Sequence, residues 1–231
     1  MIWTARHARH LCGALSAMAL TQALIAQASQ EPQRLQADRI RARDMKAILD
    51  AGTSGDKTLV PALREVIRGY RYDSRYHDTP ESRAHLSLAR LGEVQQQQER
   101  RCGALREDQS PSLGQVSAVG GWFAIRALDE ILAGAGKEVF ARAARKSSPS
   151  GGYEPPAEYD AARLLTALVE APPIPAVDLS PFPTRLKEQI PVWRAWIRDH
   201  QTELRKLEPT GKGVDFSPAA CKNGRPAKQR R

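Results

Sequence analysis

The chain is short of the residues on which many small folds and most catalytic sites depend. It has three cysteines, three methionines and 6% aromatic residues in 231 positions, too few cysteines for a small scaffold held by many disulfides. After the first 28 residues no run is long and apolar enough to cross a bilayer, which needs about 20 apolar residues. The rest of the chain holds only His77, His85 and His200, with no His-x-x-x-His or Cys-x-x-Cys spacing, no glycine-rich phosphate loop and no Gly-x-Ser-x-Gly elbow. We therefore expect no metal, no cofactor and no enzymatic activity. Little of the chain alternates apolar and polar residues as half-buried strands do, so the expected fold class is all-α.

The N-terminus reads as an export signal. Arg6 and Arg9 form a basic start, residues 11–25 an apolar stretch of helix formers, and Ala26-Gln27-Ala28 a small-residue cleavage site that would leave Ser29 first. The expected location is periplasmic or secreted. Removing residues 1–28 takes two of the 35 Lys and Arg and none of the 26 acids, so 33 against 26 leaves +7. Five of those basic residues, Lys222, Arg225, Lys228, Arg230 and Arg231, follow Cys221, so 28 against 26 leaves the body at only +2. This charge sits in a solvated tail, residues 221–231, and not in a folded stripe, which argues against a nucleic-acid partner.

Three segments share a layout. Residues 45–52, 84–92 and 127–134 are each an apolar helical stretch ending in glycine, at Gly52, Gly92 and Gly134. Glycine suits a helix terminus because it enters the left-handed conformation without steric cost. Second helices follow: Leu59, Leu63, Val66, Ile67 and Tyr70 recur at helical spacing with Pro61 in the first turn, then Val94, Gln98, Cys102 and Leu105, then Val139, Phe140 and Ala143. Residues 159–169 give a further helix, with Leu164, Leu165 and Leu168 inward. The proline-rich residues 171–183 form a connection, and from Thr184 the spacing of Leu186, Ile190, Trp193, Ile197, Leu204 and Leu207 marks a helical segment over 184–220, kinked or interrupted at Pro191.

The runs Gly55-Asp-Lys-Thr-Leu-Val-Pro-Ala-Leu-Arg-Glu-Val-Ile67 and Arg83-Ala-His-Leu-Ser-Leu-Ala-Arg-Leu-Gly-Glu93 resemble halves of HEAT repeats, clearest over residues 40–146. Gln95 to Gln98 depart from that pattern, standing where apolar residues and proline are usual. The resemblance implies a short α-solenoid of stacked antiparallel helix pairs over 29–170, closed by a C-terminal capping helix and acting as a protein-binding scaffold without chemistry of its own.

In such a scaffold the long connections 69–82, 106–117 and 147–158 would share one edge. The first carries Tyr70, Arg71, Tyr72, Arg75 and Tyr76, an interleaving of the residue types enriched at binding hot spots. Second helices would line a concave face with Arg64, Glu65, Arg68, Gln96, Gln97, Arg100, Lys137, Glu138 and Arg142 outward. The expected partner is another protein. Trp193 and Trp196, three apart on one helix, together with the tyrosine loop offer an alternative, envelope glycan or cell-wall binding through exposed aromatics, although Trp193 also continues the core stripe.

Cys102 and Cys221 are the only cysteines after residue 28, and in an oxidising compartment they are expected to pair. Reduction should then add the mass of two protons, and alkylation without reductant should add nothing. Two thiols alkylated in the unreduced protein would contradict the pairing.

Overall fold

The computed structural model describes residues 31–70, 78–107, 110–139, 155–207 and 211–222. Every regular element among them is helical: α1 over 31–41, α2 Met45–Ser54, α3 Val60–Val66, α4 Pro80–Arg90, α5 Val94–Glu107, α6 Ser110–Ser117, α7 Gly121–Leu132, α8 Ala135–Val139, α9 Ala157–Thr166, α10 Pro183–Asp199, α11 Gln201–Leu204 and α12 Pro218–Lys222. Single 3-10 turns cover Lys57–Leu59 and Ala176–Asp178. None of these helices is long and apolar enough to cross a membrane.

Local chemistry sets the helix starts. Asp44 caps α2 by accepting from the Lys46 and Ala47 amides at 2.9 and 3.1 Å. Thr79 caps α4 by accepting from the Ser82 amide at 3.1 Å, with Pro80 in the first turn, where its missing N–H costs nothing. Gly92 and Gly134 leave their helices at φ of +85° and +76°, as the sequence pattern predicts.

Gly52 is a correction. It lies inside α2 and is buried, while the chain turns out of the helix three residues later at Gly55, φ +71°. The reason Gly52 lacks a side chain is contact with α4: a Cβ there would lie 2.7 Å from the Ser87 Cα. The close crossing also lets the Ser87 hydroxyl donate to the Ile48 carbonyl at 2.7 Å, a buried hydrogen bond between the two helices.

α4 divides two cores. Ala84, Leu88 and Leu91, at spacings of four and three, face Ile40 of α1, Ile48 and Ala51 of α2, and Leu59, Leu63 and Val66. Ala89 and Leu86 point the other way, into a larger core built around Leu105, Leu113, Phe123, Leu128, Ile131, Leu165 and Trp193. α6 to α10 surround that second core, with α7 packed on α9 and α10. Residues 106–117, expected as a long connection, hold all of α6, whose Leu113 and Val116 are fully buried. The proposed third second-helix lies largely outside the described residues, which stop at Val139 and resume at Pro155. α10 runs through Pro191 as one helix, and Leu207 at the end of the expected stripe is exposed.

Gly52→Ala should lower stability by about 1–3 kcal/mol, the usual cost of inserting a methyl group where backbone cannot give way. Chemical denaturation checks this, and an unchanged midpoint would contradict the close crossing.

Candidate functional site

The residues expected at a tyrosine–arginine loop divide. Tyr70 is half-buried just after α3, beyond Gly69, whereas Arg71, Tyr72, Arg75 and Tyr76 lie outside the described residues. Arg64 and Arg68 are exposed, with Arg64 paired to Glu93 across to the next helix start and Glu65 bonded to Arg41 at 2.9 Å. Lys137 is exposed and pairs with Glu158 at 2.8 Å. The side chain of Glu138, and Arg142 altogether, lie outside the described residues.

Gln96, Gln97 and Arg100 are not outward, and this corrects the expected polar face. α5 is covered by α4 on one side and by α6, α7 and α8 elsewhere, so its polar side chains are interior. The Gln97 amide donates to the Ala89 carbonyl at 2.8 Å. Arg100, 1% exposed, donates to the Gln115 side-chain oxygen and, at 3.4 Å, to the Gln115 and Ser82 carbonyls. Buried polar groups persist where they are hydrogen-bonded, as the Gln97 amide nitrogen and the terminal Arg100 nitrogens are.

Trp193 is fully buried, so it serves the core. Trp196 is half-buried, edge-on to Trp193 at 6.1 Å and stacked on His200 at 4.5 Å.

A charged groove opens where α7 meets α10. One wall is Trp122, Arg126 and Asp129, spaced four and three along α7; the other is Pro191, Arg194 and Arg198, at the same helical periodicity on α10, with Gln201 beyond. It encloses about 490 Å3. Asp129, the one lining carboxylate, accepts from the Arg194 Nε at 3.3 Å, while Arg198 donates from Nε to Asp199, just outside the lining, at 3.0 Å. Burial holds the Asp129 carboxyl above the ordinary range, against the opposing pull of Arg194 and Arg126. With Asp199 counted beside Arg198, three guanidinium groups meet two carboxylates, an excess of one cation whose remaining N–H donors suit a carboxylate.

Behind this wall lies the C-terminal arm, residues 211–222. Cys221 at its end is disulfide-bonded to Cys102 of α5, with Cα atoms 5.2 Å apart. Gly211 sits directly on Phe123, where a Cβ would come within 3.1 Å of that side chain. Arg101, 1% exposed, binds the arm from inside: it donates to the Asp215 and Ser217 carbonyls at 2.8 and 3.2 Å and to the Cys221 Sγ at 3.1 Å. Both carboxylate oxygens of Glu130 on α7 complete its shell, at 2.7 and 2.8 Å. Gln98 holds the arm as well, accepting from the Asp215 amide at 3.1 Å.

His85 of α4 is a further buried titratable group. Its Nε2 lies 2.7 Å from a Glu99 carboxylate oxygen of α5, and its side chain is 3% exposed. Burial pushes the imidazole below its ordinary pKa, outweighing the Glu99 hydrogen bond, and nearby Arg100 adds to the shift. Among the described residues no group of three or more His, Cys, Asp or Glu side chains converges as metal ligands do. Compared with known proteins, the chain matches no family model, no curated protein and no solved structure.

The His85 shift has a defined sign. A group whose pKa is depressed by folding contributes fully above its unfolded pKa of about 6.5 and progressively less as pH falls below it. Its contribution to the loss between pH 7.5 and 5.5 is at most about 1.4 kcal/mol. Urea titrations of the protein and of His85→Gln over that range check this, the variant showing the flatter profile.

Proposed function

We propose that this chain is an exported, non-enzymatic interaction module of HEAT-like helix pairs whose α7–α10 groove binds an acidic segment of a partner protein. The observation that carries this reading is the juxtaposition of Arg126, Arg194 and Arg198 in one groove, where Asp129 engages Arg194 and Asp199 engages Arg198, leaving an excess of one guanidinium. Arginine is the side chain suited to the task, since its planar fork meets a carboxylate with two parallel hydrogen bonds and holds its charge at any physiological pH. Trp122, with Arg205 5.7 Å above its ring, closes one end and supplies apolar contact. The Cys102–Cys221 bond is compatible with an oxidising compartment and so with export. The glycan alternative loses one of its two platforms, because Trp193 is inside the core.

Fluorescence anisotropy with a labelled peptide of alternating glutamate and serine tests the reading. Binding should be saturable at low salt and weaken as salt rises, because the contacts are partly exposed. Arg126→Gln and Arg198→Gln should each weaken it about tenfold, about 1.4 kcal/mol, and Asp129→Asn should strengthen it by removing the repelling carboxylate. Absence of saturable binding overturns the reading. So does binding untouched by these variants but lost with Tyr72→Ala and Tyr76→Ala together, a result that moves the site to the tyrosine–arginine loop.

A further inference from the structure

The arm and the groove share one side chain. Phe216, half-buried in the arm, lies under two guanidinium groups: Arg101 at 5.1 Å from its ring centre and Arg126 at 4.3 Å. On a third side it meets Phe123 of α7 at 6.3 Å. Arg126 is a groove residue and Arg101 is the buried anchor of the arm, so one aromatic ring joins the disulfide-bonded segment to the groove wall. Arg126 is otherwise an exposed side chain on a helix surface, with the rotamer freedom such chains carry.

We propose that the Cys102–Cys221 bond controls the arginine groove by clamping the arm so that Phe216 holds Arg126 in its binding position. This rests on the groove being the site for an acidic segment. A guanidinium already laid over an aromatic face loses less freedom when it binds a carboxylate, and preorganisation of that kind appears as affinity. Each component of the clamp is on one short stretch: Asp215 and Ser217 carbonyls on Arg101, Phe216 between them under Arg126, and Cys221 bonded to α5. Opening the disulfide removes the covalent end of that stretch and leaves non-covalent contacts, those of Gly211 with Phe123, Val214 with the core, and Asp215 and Ser217 with Arg101 and Gln98, to hold the ring.

The chemistry of release is thiol–disulfide exchange with a dithiol reductant. One thiolate of the reductant attacks Sγ of Cys102, the less buried of the two cysteines, and the sulfur–sulfur bond breaks with its electron pair going to Cys221 Sγ. Arg101, 3.1 Å from that sulfur, stabilises the departing thiolate. The second thiol of the reductant then displaces Cys102 from the mixed disulfide, so the reductant leaves as a disulfide and the protein as two thiols.

The test measures affinity for the glutamate–serine peptide in the oxidised full chain, in the chain reduced with dithiothreitol, and in Phe216 variants with the disulfide intact. Reduction should weaken binding about five- to tenfold, and Phe216→Leu, which keeps apolar bulk but no ring, should do the same. Phe216→Tyr should retain full affinity. In an Arg126→Gln background neither reduction nor Phe216→Leu should weaken binding further, which separates positioning of Arg126 from general loosening. Equal affinity of oxidised and reduced protein, or no effect of Phe216→Leu, overturns the coupling while leaving the groove intact as a site. Should reduction unfold the chain, the Phe216 variants decide alone. No binding by the oxidised protein overturns the groove reading and the coupling together.

Discussion

A guanidinium placed where water does not reach organises the second half of this molecule. Moving a single charge into a protein interior costs several kcal/mol even after relaxation, so Arg101 is tolerable only while its partners surround it. Those partners come from far apart in the chain: Glu130 29 residues on, and the Asp215 and Ser217 carbonyls 114 and 116 residues on. The Arg101 shell therefore requires α5, α7 and the C-terminal arm in one place at once. No apolar contact has that directional demand, because burial of hydrocarbon is satisfied by any close neighbour.

The same economy extends along α5. Its glutamines and arginines lie between α4 and the helices of the second core, and they spend their donors on backbone carbonyls and side chains of neighbouring helices. Hydrogen-bonded interiors of this type specify register more sharply than they add stability, since a shift of one residue leaves several groups unsatisfied. Around this polar seam the apolar residues do the ordinary work: Ala84, Leu88 and Leu91 on one face of α4, Ala89 on the other.

How much of this was legible in the sequence differs residue by residue. The α3, α9 and α10 helices show plainly, because Leu63 and Val66, or Leu186, Trp193 and Ile197, repeat at the period of a helix with one buried face. The pairing of Cys102 and Cys221 followed from there being no other candidate after residue 28. α6 was hidden, because Ser110-Pro-Ser-Leu-Gly is poor in helix formers and only Leu113 and Val116 betray its buried face. The helical stretch ending at Gly52 was readable, but a glycine demanded by a neighbour's backbone looks the same in one dimension as a glycine demanded by φ. Arg100, Gln96 and Gln97 read as outward because hydropathy registers the cost of burying a side chain and not the partners that offset it. The groove needed the fold itself: Arg194 and Arg198 are one turn apart and visible as a pair, yet Asp129 reaches Arg194 across 65 residues.

The disulfide also imposes an order in time. Its two cysteines are separated by 119 residues, whereas the core formed by α1 to α4 is complete within residues that all precede Cys102. At synthesis rates of roughly 5–20 residues per second, Cys102 precedes its partner by roughly 6–24 s, longer than small helical units take to collapse. During that interval the first core can already be assembled, while α5 lacks the arm that completes the Arg101 shell. The first core can thus form on the growing chain before the arm of residues 211–222, made after α1 to α11, closes the second one around Arg101.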